Sequence, residues 1–356
     1  VDEEHDRSFK QDQSPRYHGR DIAIRRAWAS DCPVVLGSAT PSMESWWNAV
    51  TRKISTLHKL TKRAPGLVSP TIEIVDMKPE RNAGTIGNAI MSRALERNIH
   101  ETLAQNGQVL LLLNRRGFAP WIACASRTCK WMMKCDHCDA SMVYHRRKPL
   151  EEAGFVRCHH CGLEQRVPKQ CPDCAKKVIQ LGAGTQRVEA ILRETLQIPD
   201  EHIARLDSDT MKKSADLHSM LDAFGRGEIK VLLGTQMIAK GLDFPNVKLV
   251  GVIDADTAID LPDFRAAERT YQLVSQVCGR CGRGEGSAKA IIQTYNPTAA
   301  AITLASKSAY EQFATEEIAF RCASQVPPAT RMARFIVRES NFETASGRAE
   351  SLASRL

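Results

Sequence analysis

Val109-Leu-Leu-Leu-Leu113 runs straight into Asn114-Arg-Arg-Gly117, five aliphatic residues in a row with no polar alternation. Five is far short of the roughly 20 apolar residues that a membrane-crossing helix needs, so the run reads as a strand. Outward from it, similar short apolar runs alternate with amphipathic stretches, the pattern of a parallel α/β sheet covered by helices. Strands are expected at Val34–Leu36, Ile72–Val75, Val109–Leu113, Ile203–Leu206, Val231–Leu233, Leu249–Ile253 and Ala290–Thr294. Helices are expected over Asp21–Ala29, Ser42–Val50, Ser92–Asn106, Gln186–Leu196, Ala215–Phe224 and Phe264–Val277. A break near Leu60–Pro70, where Lys, Arg, Pro and Gly cluster, reads as a linker between two α/β units.

Composition bounds the function classes. The 356 residues, 43% of them hydrophobic, suffice for packed domains and exclude a disordered tail. No basic-then-apolar leader follows Val1, and a cytoplasmic location is expected. Lys and Arg outnumber Asp and Glu by 49 to 41, a balance of +8 that permits a polyanionic partner without requiring one. Twelve cysteines in a reducing compartment point to metal or catalysis before disulfides.

Eight of those cysteines form four close pairs: Cys124/Cys129, Cys135/Cys138, Cys158/Cys161 and Cys171/Cys174. Three pairs are C-x2-C, a turn that aims two thiolates at one tetrahedral Zn²⁺, and the first is C-x4-C. Nineteen residues separate Cys138 from Cys158, within the spacing of a four-cysteine zinc ribbon, whereas the other neighbouring pairs are five and nine apart. The inner pairs therefore share one zinc, and the outer pairs are left to share a second in a nested arrangement. His145, His159 and His160 lie nearby, but eight thiolates already satisfy two metals. Between Trp121 and Lys177, 11 Lys/Arg stand against 6 Asp/Glu, with Trp121, Trp131, Tyr144 and Phe155 interleaved, a composition suited to nucleic acid. Loading two zincs onto eight thiolates lowers the formal charge of the chain from +8 to about +4, so net charge alone says little about DNA. Cys278 and Cys281 read as small core residues, and the isolated Cys32 and Cys322 as buried.

Outside the cysteine-rich segment, polar motifs recur at strand ends. Val1-Asp-Glu-Glu-His5 sets two carboxylates where one could hold Mg²⁺ and the next orient a water. Gly37-Ser-Ala-Thr-Pro41 is a tight turn with small hydroxyl residues, and Gly234-Thr-Gln-Met-Ile-Ala-Lys-Gly-Leu-Asp243 follows another strand. Gln276-Val-Cys-Gly-Arg-Cys-Gly-Arg283 sets Arg280 and Arg283 three apart, a spacing that can neutralise charge on a transferring phosphoryl group.

The order of these motifs, with a cysteine-rich insertion directly after Asn114-Arg-Arg-Gly117, resembles superfamily 2 helicases. Within them it resembles the primosomal replication-restart helicases, over nearly the whole chain. Pro15-Arg-Tyr-His-Gly-Arg-Asp21, Pro262-Asp-Phe-Arg-Ala-Ala-Glu-Arg269 and Gln293-Thr-Tyr-Asn-Pro297 add to the likeness. The resemblance implies RecA-like helicase lobes, the first partial and the second complete, with a double zinc-binding insertion. It implies a division into 1–62 (end of the first lobe), 63–120 (linker and start of the second), 121–178 (zinc insertion), 179–300 (rest of the second lobe) and 301–356 (start of a C-terminal domain). The implied activity is ATP-dependent 3′ to 5′ movement on single-stranded DNA in replication restart.

By the same resemblance, Asp2 and Glu3 serve Mg²⁺ and the attacking water, and His5 relays nucleotide state to DNA. Gly241, Asp243, Gln276, Arg280 and Arg283 complete the nucleotide site, with Arg280 and Arg283 reaching the triphosphate. Phe9, Tyr17, His18, Arg115, Arg116, Thr235 and Gln236 face DNA. Implied partners are single-stranded and forked DNA, single-strand-binding protein and primosome or helicase-loading proteins, with no membrane, for a nucleoid-associated monomer. Cys278 and Cys281 stand where the family usually has Ala. The chain holds no Gly-Lys pair and so no G-x-x-x-x-G-K-[ST] phosphate loop, and the resemblance is to a fragment beginning at the acidic motif, expected to be inactive alone. The competing reading is a non-catalytic zinc-ribbon scaffold that binds DNA or proteins. A fork-reversal translocase is disfavoured by the nested cysteines.

Overall fold

The computed structural model describes all residues except 12, 62–69, 83–89, 114–120, 127–128, 130, 138–141, 146–154, 159–160, 182–184, 207–213, 236–243, 257–258, 260–262, 280–287, 334, 336, 338, 340 and 356. In chain order the strands are β1 (Thr71–Asp76), β2 (Gln108–Leu113), β3 (Trp121–Cys124), β4 (Val143–His145), β5 (Phe155–Arg157), β6 (Glu164–Arg166), β7 (Val178–Leu181), β8 (Ile203–Leu206), β9 (Val231–Gly234), β10 (Val247–Asp254) and β11 (Lys289–Thr294). The α-helices are α1 (Gly19–Ala29), α2 (Met43–Trp46), α3 (Met77–Asn82), α4 (Arg93–Ala104), α5 (Thr185–Ala190), α6 (Ser214–Gly225), α7 (Ala266–Cys278), α8 (Ala300–Ser306), α9 (Tyr310–Ala323) and α10 (Phe342–Ala353).

Six strands form one sheet in the order β1-β11-β10-β2-β9-β8, and every neighbouring pair is parallel. All six residues of β2 are buried, which is why the aliphatic run lacks alternation. Leu110 and Leu112 face one core with Val250, Val252, Ile292, Tyr271 and Val274. Val109, Leu111 and Leu113 face the other, with Leu95, Ile99, Ile191 and Leu233. On that second face α4 approaches closely because Gly251 has no side chain: a Cβ there would stand 2.7 Å from Leu111 Cδ2 and 2.9 Å from Leu95 Cδ1. Ser92 caps α4, its Oγ accepting from Leu95 N at 3.2 Å, while its own N–H donates to the buried Gln293.

The cysteine-rich segment leaves the sheet through an antiparallel stem, β3 with β7, and holds a three-stranded sheet in the order β4-β5-β6. Its own apolar cluster is small: Ile122, Met133, Met142, Tyr144 and Val156 with Cys135 and Cys158. So small a core needs a further staple, which bound metal supplies in such modules.

Several expectations are corrected. Val34–Leu36 is not a strand; its backbone bonds run only to the segment that starts at Val1, which turns away, and Val35 is 79% exposed. Cys32 and Cys322 are exposed, not buried. Cys322 is one residue past the inward-facing Arg321 on α9, about 100° around the helix and so on its outer side. The expected helices after Ser42 and Gln186 each end in a π turn, Trp47–Thr51 and Ile191–Thr195. Helices α8, α9 and α10 follow the last expected strand, and the break at 62–69 lies outside the described residues.

Leu111→Ala, which empties a leucine-sized space between β2 and α4, should cost about 2–5 kcal/mol and lower the urea midpoint without changing the slope.

Candidate functional site

Two sites emerge from the residues singled out in the sequence. At the first, the acidic motif folds back on the Gly37–Thr40 turn: Gly37 N–H donates to Val1 O at 2.8 Å and Glu4 N–H to Gly37 O at 3.1 Å. Asp2 is exposed, its Oδ1 accepting the Glu3 N–H at 3.0 Å. Glu3 takes φ 45°, a left-handed setting that costs a non-glycine residue about 1–2 kcal/mol. The turn is held by the third acid of the motif, Glu4, which sequence reading left without a role. It is 1% exposed and accepts from Arg20 Nη1 (3.0 Å), Ser42 N (2.6 Å), Ser42 Oγ (3.1 Å) and Ser45 Oγ (2.9 Å). Burial works against the Arg20 charge most strongly of any single influence, but the hydrogen bonds and charges of Glu4 and Asp21 together offset it and hold the guanidinium above its ordinary value.

His5, between the acids and the turn, has a nearly buried ring. Its Nδ1 lies 2.7 Å from Ser38 Oγ and 3.5 Å from Glu3 Oε2, and its Nε2 lies 2.9 Å from Gln276 Nε2. A Gln amide nitrogen can only donate, so as assigned His5 accepts at Nε2 and carries its proton on Nδ1, facing Ser38. The imidazole thus bridges three motifs that are distant in sequence. The group can present the exposed Asp2 carboxylate to a hard cation. The other residues expected at this site, Gly241, Asp243, Arg280 and Arg283, lie outside the described residues, as do Arg115, Arg116, Gln236 and Cys281. Thr235 is buried at the end of β9, and Cys278 is buried on α7, where desolvation pushes its thiol up to about 12.

Beside it, Lys10 and His18 form an isolated antiparallel bridge, and the Phe9 and His18 rings are 6.5 Å apart. Tyr17 is 48% exposed. Burial and the neighbouring Arg20 lower the His18 pKa, which favours a neutral ring.

The second site is the cysteine cluster. The sulfurs of Cys124, Cys129, Cys171 and Cys174 all lie within 4.8 Å of one another, and so do those of Cys135, Cys158 and Cys161; Cys138 lies outside the described residues. Individual separations are 3.3 Å (Cys124–Cys174), 3.7 Å (Cys129–Cys171) and 3.3 Å (Cys135–Cys161). Thiolates around a tetrahedral zinc at 2.3 Å would sit about 3.8 Å apart, so the donor set and its spacing fit zinc. The outer pairs meet because the stem sets Cys124 opposite Val178, and the C-x4-C pair closes as well as the shorter turns. In the Cys158 knuckle Gly162 supplies φ 84°; Ala175 takes the same place after Cys174 with φ 56°. Within the cluster the pull is uneven: the Lys176 backbone N–H and a hydrogen bond from Cys124 bring the Cys174 thiol down to about 7, while desolvation and the neighbouring sulfurs push Cys124 up to about 12, so the fit to zinc rests on the donor set and its spacing. No metal-type cluster includes a histidine among the described residues.

Residues 135–166 match the PriA DNA helicase Cys-rich region domain, and residues 169–285 match the Helicase conserved C-terminal domain. The chain is 43% identical to the Replication restart protein PriA of Bacillus subtilis (strain 168), covering 99% of this chain and 42% of that protein. It is 40% identical to the protein of the same name from Synechocystis sp., covering 92% of this chain and 39% of the relative. The chain thus spans about two-fifths of the length of these relatives. Among solved structures, S. cerevisiae Dbp5 bound to RNA and ADP BeF3 aligns at 12% identity with a TM-score of 0.39, over 86% of this chain and 60% of that one.

Glu4→Gln, which removes the buried partner of Arg20 and leaves it only the exposed Asp21, should destabilise the fold by about 3 kcal/mol in urea unfolding. Asp2→Asn on the exposed side should stay within about 0.5 kcal/mol.

Proposed function

Over the residues that align, this chain belongs to the PriA family of replication restart helicases, and from that premise we propose that it forms part of an ATP-driven motor moving 3′ to 5′ on single-stranded DNA. The motor opens stalled forks and works with single-strand-binding protein and helicase-loading proteins in the nucleoid. The observation that carries this reading is the 2.9 Å contact between His5 and Gln276, 271 positions apart, which ties the acidic motif to the helix leading into the arginine motif.

In this mechanism Asp2 offers its carboxylate to Mg²⁺, whose charge would neutralise the phosphates, and Glu3 orients the attacking water and accepts its proton. Arg280 and Arg283 stabilise the charge that develops on the transferred phosphoryl group, and Gly241 and Asp243 close the same site. His5, held by Ser38 and Gln276, passes the state of that site into α7. DNA runs along Arg115, Arg116 and Gln236 and past the loop that bears Phe9, Tyr17 and His18, while Thr235, expected to face DNA, is buried. The cysteine-rich module holds two structural zincs, one on Cys124, Cys129, Cys171 and Cys174, the other on Cys135, Cys138, Cys158 and Cys161.

Metal analysis of the purified chain should return two zincs; Cys171→Ser and Cys158→Ser should each lose one, and a parent value of one or none would refute the assignment. The 356-residue chain alone should show no DNA-stimulated ATP hydrolysis. In a longer protein that supplies a phosphate loop, Glu3→Gln should lower that hydrolysis by about 100-fold or more, and an unaffected rate would exclude the general-base role.

A further inference from the structure

Helix α7, which touches His5 near one end, is gripped at the other by a buried charge cluster. Glu268 lies eight residues before Gln276, about 12 Å along the axis, and is 4% exposed. Its Oε1 accepts from the Met43 backbone N–H at 3.0 Å, at the first residue of α2, and from Gln272 Nε2 at 3.4 Å. Its Oε2 accepts from Arg321 Nη2 at 2.8 Å. Arg321, on α9, is fully buried, donates from Nε to Glu317 at 2.7 Å and from Nη1 to Pro327 O at 3.4 Å, and lies over the Phe264 ring at 5.3 Å. Around this pair, Gln272 donates to Thr40 O at 3.4 Å, Tyr310 on α9 donates its O–H to Pro41 O at 2.5 Å, and Arg265 reaches Glu44 at 2.7 Å.

Charges held this far from water are poor sources of stability, because desolvation cancels most of their attraction. What they supply is direction. One carboxylate oxygen accepts a hydrogen bond from Met43, three residues after the Ser38–Thr40 turn, and the other accepts one from Arg321 on α9, so α7 can neither slide nor rotate without breaking a buried bond. Gln276 moves with α7, and His5 is bonded to Ser38 on the turn, so the same grip sets the distance between them.

We propose that Glu268 and Arg321 are positioning residues for the ATP-driven reaction: they fix α7 against the Ser38–Thr40 turn and thereby align the His5–Gln276 contact two turns away. This rests on the motor reading given above.

The test uses the intact protein that carries this segment, with Arg321→Lys and the triple variant Glu268→Gln/Glu317→Gln/Arg321→Met, which leaves no lone charge behind. The triple variant should melt within about 3 °C of the parent. Its kcat for DNA-stimulated ATP hydrolysis should nevertheless fall about tenfold, with KM for ATP changed less than about threefold. Amide exchange at Ser38–Thr40 and Gln276 should quicken about tenfold in the same variant. Arg321→Lys, which keeps the charge, should recover part of the kcat, and it carries the comparison if the triple variant does not fold. Parental kcat and parental exchange in a variant with altered cluster chemistry would overturn the proposal, as would a loss confined to KM. A parent without DNA-stimulated hydrolysis would instead remove the motor reading, while the exchange measurement would still decide whether the cluster aligns the contact.

Discussion

A parallel strand buried on both faces can exist only if helices cover both sides of its sheet, and β2 imposes that condition here. Its even-numbered leucines pack towards α7 and its odd-numbered aliphatics towards α4, so two cores grow from one six-residue segment. Parallel neighbours also require crossovers, which bring the carboxyl ends of the strands to one edge of the sheet. Thr235 follows β9 at that edge, where an open α/β sheet ordinarily presents its chemistry. The cysteine-rich module is inserted after the central strand β2, and its antiparallel stem needs only four residues per strand to leave the sheet and return.

The first 52 residues are joined to this sheet by Met43 and Trp46, which enter its core, and by polar groups withdrawn from water. Glu4 gathers four donors within this segment, while across the joint Glu268 receives the Met43 N–H of α2, Arg265 reaches Glu44, Gln276 meets His5 and Tyr310 donates to Pro41 O. The aromatic packing at the joint is also directional, with Trp46 edge-on to Tyr310 at 5.3 Å. An apolar seam would tolerate sliding, whereas a carboxylate bonded to two elements permits one register and charges several kcal/mol for leaving it.

Sequence spacing and structure agree most closely where the geometry is local. The C-x2-C turns and the 19-residue gap placed the outer and inner cysteines in two groups, the same grouping that the described sulfurs adopt. The six sheet strands lie within two residues of their expected positions because apolar runs reflect burial directly. Agreement failed where a local pattern lacked its partner. Val34–Leu36 has strand composition but no ladder to join, and Cys32 and Cys322 have core-like chemistry on turned-out positions. Glu4 reads from sequence as a third acid in a row, and nothing in its neighbours signals that it alone turns inward to Arg20 and Ser42.

The chain by itself determined the parallel α/β class, the metal-binding chemistry and the order of motifs that marks its family, since all three are written in residue type and short spacing. Tertiary structure decided which motifs touch. His5 meets Gln276 across 271 positions, Met43 meets Glu268 across 225, and Arg321 closes the cluster from a helix with no motif at all. No periodicity encodes those contacts: they arise only once the two cores have packed and brought Glu4, Glu268 and Arg321 to their buried partners.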